Sequence, residues 1–232
     1  MGRKESVMIF YKILSTLERK LGGKRILDKC TGRMSWPNRG VYFFFEEGEN
    51  RASPGEGPRV VRIGTHAIDK RRSDTLLWER LRQHRGPFAG SHPGVGDHRG
   101  SVFRKHVGFA IINRRQIKCA SWGESPLSQR EKGLEYDIER EVSGYISKMP
   151  FLWVGVDDDP GPNSMRAFIE RNSIALLSNL NREPIDPSSK NWLGKYCTNE
   201  RVMKSGLWNH DYTEKDYDFV LLDILNKFVN MM

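Results

Sequence analysis

Five residues of this chain have the types and order that could do chemistry. Tyr42 stands in Gly40-Val41-Tyr42, and Arg62 stands in Arg62-Ile63-Gly64. Arg80 and His84 share the run Glu79-Arg80-Leu81-Arg82-Gln83-His84, and Glu170 stands in Phe168-Ile169-Glu170-Arg171-Asn172. A tyrosine, arginines, a histidine and one carboxylate are a set that could cut phosphodiester bonds with one metal ion. A hydroxyl can orient or deprotonate water, a planar guanidinium answers the charge that builds on phosphorus, and a carboxylate holds a hard divalent ion. Arg80 and His84 are four apart, so on a helix they share one face.

Each residue also has a plainer reading. A tyrosine in a phenylalanine-rich strand is usually core. Helix arginines usually face solvent, which is the reading for Arg82, and a histidine near a helix C-terminus can simply face the dipole. Glu170 differs because Ile169 and Phe168 put it close to the buried side, where a carboxylate needs a partner. Glu139 and Glu141 read as surface glutamates.

The elements that must position these residues follow from periodicity and punctuation. Val7, Ile9, Phe10, Ile13, Leu14, Leu17 and Leu21 predict a helix over 6–21, stopped by Gly22-Gly23. Segments 41–45 and 59–64 read as strands joined by a Gly/Glu/Pro-rich hairpin loop over 46–58. Asp74 can cap a helix running to about His84. Residues 85–100 read as a Gly/His/Pro loop, mobile unless a ligand orders it. Segment 101–114 leans towards helix, and 131–149 reads as one amphipathic helix ended by Pro150. A third strand is expected over 151–156, a turn over 157–162, a helix over 164–180, a loop over 184–194 and a closing helix over 216–229. The fold class is α/β, with a small, mainly antiparallel three-stranded sheet flanked by helices. Its expected divisions are an N-terminal helical extension (1–33), a central domain (34–183) with a basic loop insertion (85–106), and a C-terminal helical extension (184–232).

The 232-residue chain has a formal net charge of +9, unevenly spread. Residues 59–118 hold 14 Lys/Arg against 4 Asp/Glu, whereas 119–232 hold 13 against 18. The positive segment also carries Arg62, Arg80 and His84, so a polyanion is the natural partner. Arg82, Arg85, Arg99, Arg104, Lys105 and His106 are the expected nucleic-acid contacts. No apolar run approaches the roughly 20 residues of a membrane span, and the first ten residues lack a signal-peptide core. Cys30, Cys119 and Cys197 form no Cys-x-x-Cys pair, which argues against a disulfide framework or zinc ribbon and for a reducing cytoplasm.

The two short signatures, the Arg80/His84 helix and the Glu170 helix, taken in this order over about 40–181, resemble the GIY-YIG nuclease superfamily. The resemblance implies an endonuclease that hydrolyses nucleic acid, with double-stranded DNA the expected substrate and a restriction or defence role compatible. It implies Tyr42 as general base or water-orienting group, Arg80 on the scissile phosphate, His84 beside them, and Glu170 holding Mg2+ or Mn2+. Arg62 stands where the family usually has tyrosine, and some restriction enzymes of the superfamily carry a basic residue there. Asn179 and Asn181 both fall near the family's late asparagine. The oligomeric state is open, and a staggered duplex cut would suggest a dimer.

Two rivals are set against that reading. One is a nucleic-acid-binding protein on the same scaffold, its chemistry lost through Arg62. The other is a histidine metal site from His84, His92, His98 and His106, which lacks a His-x-x-x-His helix and cysteine ligands. Asp157-Asp158-Asp159 looks like a metal site but precedes Pro160-Gly161-Pro162, so it reads as a solvated turn.

Overall fold

The computed structural model describes every residue except 53, 69–74 and 125–127. Asp74, the expected helix cap, lies outside the described residues. The elements that frame the site are β1 (Arg25–Ile26), β2 (Gly40–Asn50), β3 (Pro58–Gly64) and β4 (Pro150–Gly155), with α1 (Arg3–Leu21), α2 (Leu77–Arg85), α3 (Val102–Arg115), α4 (Gln129–Leu134), α5 (Tyr136–Ile146), α6 (Met165–Leu177), α7 (Glu200–Ser205) and α8 (Val220–Met231).

Among the described residues the sheet has four strands rather than the three expected, all antiparallel, in the order β1-β4-β2-β3. The additional strand is two residues long and pairs Arg25 with Phe151 and Ile26 with Pro150. So short a segment after Lys24 has no alternation to read. Strand β2 also runs on to Asn50, through residues expected in a loop, because Asn50 still pairs with Pro58 across a register shift.

Residues 41–45 are all buried because β2 is covered on both faces. Val41, Phe43 and Phe45 meet Ile63, Leu152 and Val154 on one side, together with apolar residues of α1, α6 and α8. Tyr42 and Phe44 meet Phe151 and Trp153 on the other, with Leu77 and Leu81 of α2, Phe103 and Val107 of α3, and Val142 of α5. A continuous apolar run, rather than alternation, is what a doubly covered strand requires. The terminal segments therefore contribute α1 and α8 directly to the sheet's cover. α1 ends as its glycines dictate: Gly22 adopts φ +70°, and Gly22 and Gly23 return hydrogen bonds to Arg19 O and Glu18 O.

Three further expectations change. The helix expected over 131–149 is two, α4 and α5, meeting at Glu135. Asp158 accepts from Arg166 Nε and Arg166 N, so it braces α6 rather than standing free in a turn. Loop 86–97 is closed on itself by Gly94 N–H donating to Pro87 O at 2.8 Å, and is held to the body by the chain's own Ser143 Oγ donating to Gly94 O at 2.6 Å. Among the described residues, no helix is long and apolar enough to cross a membrane.

Candidate active site

Tyr42 lies at the start of the central strand, opposite Gly64 on β3 and Trp153 on β4. Its ring is fully buried and its Oη lies 2.7 Å from His84 Nε2. A Cβ at position 64 would lie 2.3 Å from that Oη, so the glycine of the second signature makes room for the phenol. His84 reaches Tyr42 from α2, whose first turn is closed by Glu79 accepting the Leu76 N–H at 2.9 Å. The other ring nitrogen, Nδ1, lies 2.8 Å from Ser101 Oγ. Ser101 is the N-cap of α3 and also accepts the Arg104 N–H at 3.3 Å.

Burial drives the His84 pKa well below the usual imidazole range, and the charges of Arg80, Arg62 and Arg104 push the same way. The ring is therefore neutral at neutral pH, with one N–H to serve two partners. If Nδ1–H is donated to Ser101, Nε2 accepts the Tyr42 hydroxyl. If Ser101 donates to Nδ1, Nε2–H points at the Tyr42 oxygen. A serine hydroxyl can donate or accept, so both tautomers are satisfied.

Arg62 pairs with Phe44, two residues along from Tyr42, next to a register shift. It is thus a diagonal neighbour of Tyr42 on the same face, not the facing residue. Its Nη1 donates to Trp208 O at 3.2 Å, and its buried Nε has no hydrogen-bond partner among the described residues. Glu170 comes from α6, in the opposite layer, and reaches the end of edge strand β3, where Thr65 N–H donates to its Oε1 at 3.1 Å. Burial raises the Glu170 pKa; Arg62, the Thr65 N–H and Arg80 draw it back, and Asp211 raises it further. The charges of Arg62 and Arg80 therefore act on both His84 and Glu170. Arg80 itself is half-buried, and its Nη1 donates to Gln83 Oε1 at 3.0 Å and Gly100 O at 2.9 Å. A mostly buried carboxylate with one backbone donor fits a hard divalent cation that keeps several of its waters.

The expected nucleic-acid contacts divide sharply. Arg82 is exposed on α2. Arg104 is fully buried: it pairs with Glu139, and its Nη1 donates to His84 O at 2.7 Å. It is a structural cation, and Glu139 is correspondingly buried rather than the surface glutamate expected. Arg85 is buried with its Nη1 on Cys30 O at 2.8 Å, and Arg99 forms a bidentate pair with Glu135 at 2.7 and 3.0 Å. His106 is buried against His210, Nε2 to Nδ1 at 3.1 Å. Lys105 Nζ lies 3.3 Å from Gly123 O. Arg85, Arg99 and Arg104 thus tie α2, the loop after it and α3 to the body rather than pointing to solvent.

Asn179 accepts from Arg3 Nη2 at 3.0 Å and from Ile185 N at 2.9 Å, and Asn181 sits at φ +57°. Both shape the turn after α6. The four histidines of the metal-site rival do not converge: His92 packs on Tyr136, His98 on Glu139 and Trp122, and His106 on His210. Asp97, His98 and Glu139 do bring ligand atoms within 4.8 Å of one another, but Arg104 already supplies the cation for Glu139.

Sequence reading missed four residues around the site. Ser101 precedes an apolar run, an N-cap signal that could have marked it. His66 lies directly after the second signature, and its Nδ1 is 2.6 Å from Thr75 O. Trp208 and Asn209 bind the outer edge of β3: Trp208 N donates to Val61 O at 2.7 Å, and Asn209 exchanges hydrogen bonds with Ile63 N and O at 3.0 and 2.8 Å. Nothing local announces a partner 146 residues away.

A family model described as GIY-YIG domain matches residues 1–232. No curated protein and no solved structure matches the chain.

Proposed function

The chain belongs to the GIY-YIG domain family, whose members imply nuclease chemistry in general, and from that premise we propose a divalent-metal-dependent endonuclease that hydrolyses the phosphodiester bonds of double-stranded DNA. The observation that carries the proposal is the Tyr42–His84 hydrogen bond of 2.7 Å beside two arginines whose charges also reach Glu170.

In this reading the scissile phosphate lies against Arg80, with Arg62 behind it. Their guanidiniums take up the charge that grows on the pentavalent phosphorus. The phosphate also changes the base. In the free protein burial keeps His84 neutral and the arginines add to it; an anion placed against the arginines offsets their share and makes an imidazolium easier to form. Once substrate binding admits a water to the buried Tyr42 Oη, that water can give its proton to Tyr42 as Tyr42 passes its own to His84 Nε2. The water oxygen bonds to phosphorus, the bond to the leaving oxygen breaks, and that oxygen takes a proton from solvent. Glu170 would hold Mg2+ or Mn2+, which when bound supplies charge stabilisation at the leaving oxygen.

Three free thiols fit a reducing, cytoplasmic setting, and a restriction or defence role is compatible with it. The rival reading, binding without cleavage, has one observation in its favour: Arg62 occupies the second signature's usual tyrosine position. The deciding experiment is plasmid DNA incubated with wild type and Glu170→Gln, with and without Mg2+, followed by end mapping. Mg2+-dependent cuts by wild type that are lost in the variant support the proposal. Tight binding with no cleavage of DNA or RNA in any divalent ion overturns it in favour of the binding protein. Paired, staggered cuts would indicate a dimer acting on both strands.

A further inference from the structure

A cavity of about 610 Å3 lies beside α2, and Arg82, Gln83, Arg85, Phe88, Asp97 and Gly100 are among its lining residues. It falls within the roughly 300–1,000 Å3 range of small-ligand sites. Phe88 is 54% exposed, an unusual place for a phenylalanine in so polar a loop. The Arg85 guanidinium lies 3.6 Å from the Phe88 ring centroid, with the Trp78 ring 5.2 Å from the same guanidinium. Arg85 is itself tied to Cys30 O. Phe88 is thus backed on one side by an anchored planar cation and open to solvent elsewhere. The loop that carries it is set firmly on α3 and α5. A Cβ at Gly96 would lie 2.3 Å from the Arg104 guanidinium carbon, and one at Gly86 would lie 2.4 Å from Ser143 Oγ.

The cavity adjoins the candidate active site through Arg80. The two groups that hold the Arg80 side chain, Gln83 and Gly100, both line it. Arg82, exposed on the same helix, adds a positive charge to its rim. An aromatic face backed by a guanidinium and bordered by an exposed arginine is the chemistry that stacks a nucleobase while its phosphate is held alongside.

We infer that this cavity is a stacking site for one nucleobase of the strand being cut, the base next to the phosphate bound by Arg80, turned out of its helix onto Phe88. The inference rests on the nuclease reading for the identity of the neighbouring phosphate. A base that leaves the duplex stack in this way has its edges free to be read. Asp97 lines the same cavity and offers an acceptor to an amino-bearing edge, as carboxylates do for cytosine N4.

The test uses the full chain and a random-sequence duplex carrying 5-iodo-2′-deoxyuridine, bound in Ca2+ and irradiated. The crosslinked peptide is expected to contain Phe88. Phe88→Ala should lose that crosslink and weaken binding by roughly tenfold, the scale of one base–aromatic stack, whereas Phe88→Trp should keep both. Because Phe88 is exposed, both variants should melt at the wild-type temperature. Crosslinks that map only elsewhere, or Phe88→Ala binding as tightly as wild type, overturn the stacking site even if the protein cuts DNA. A Phe88 crosslink in a protein that cuts no nucleic acid leaves the stacking site standing and removes the nuclease reading instead.

Discussion

At the scale of single residues, the proposed reaction would divide the site into a pair that handles protons and groups that handle charge. Tyr42 and His84 are buried and hydrogen-bonded to each other, so Tyr42→Phe removes the proton path without removing a phosphate contact. Single-turnover cleavage should fall by roughly the 10²–10⁴ of a lost acid–base group, while DNA affinity in Ca2+ stays near wild type. Normal cutting by Tyr42→Phe would make Tyr42 a core residue. Arg62→Tyr restores the family's commoner residue but leaves Trp208 O without its 3.2 Å donor, so partial activity is expected. Arg80→Lys keeps the charge and loses the planar fork. It should lower kcat far more than it weakens binding; the opposite split would make Arg80 an ordinary phosphate contact.

At the scale of elements, Ser101 joins two jobs, capping α3 and holding His84 Nδ1. Ser101→Ala should cost about 1 kcal/mol in urea unfolding, the usual worth of an N-cap, and should also slow cleavage and alter its pH profile. Ser101→Thr keeps a hydroxyl at the same point and should restore both. A stability loss with an unchanged pH profile would leave Ser101 as a cap alone. The same elements show what was legible in the chain. β2, β3, β4 and the long helices announced themselves through apolar runs and glycine stops, and Tyr42, His84 and Glu170 lie at the strand, α2 and α6 positions read for them. The basic segment misled because charge in a sequence does not reveal its partner: Arg104 looks like any surface arginine, yet its acid, Glu139, is 35 residues on. β1 was invisible because two residues carry no period, and its place depends on β4, far along the chain.

For the whole molecule, the buried histidines set a pH response. Burial is the main cause that lowers His66 to about 4 and His106 to about 3; in His106 the neighbouring His210 adds to it. In the unfolded chain both should titrate near 6.5. Between those values the unfolded state binds more protons, so folding free energy is fully present above about pH 6.5 and is lost as pH falls towards 4 and then 3. Each histidine contributes a slope approaching about 1.4 kcal/mol per pH unit inside its window. Urea midpoints should therefore drop steadily between pH 7 and pH 5, and His106→Gln should flatten that dependence. A midpoint insensitive to pH over this range would contradict the burial of neutral imidazoles.

The clasp of β3 by Trp208 and Asn209 has a consequence for how the protein is made. Arg62, Ile63 and the outer edge of their strand are synthesised 146 residues before the backbone and side chain that secure them. At roughly 5–20 residues per second, the nascent chain spends on the order of ten seconds with that edge open. During translation the Arg62 side of the site has no fixed position, so a ribosome-held chain stopped before Trp208 should not cut DNA, whereas one extended well past Asn209 and clear of the exit tunnel should. Synthesis itself would then delay the hazard of an active nuclease until the sheet is closed.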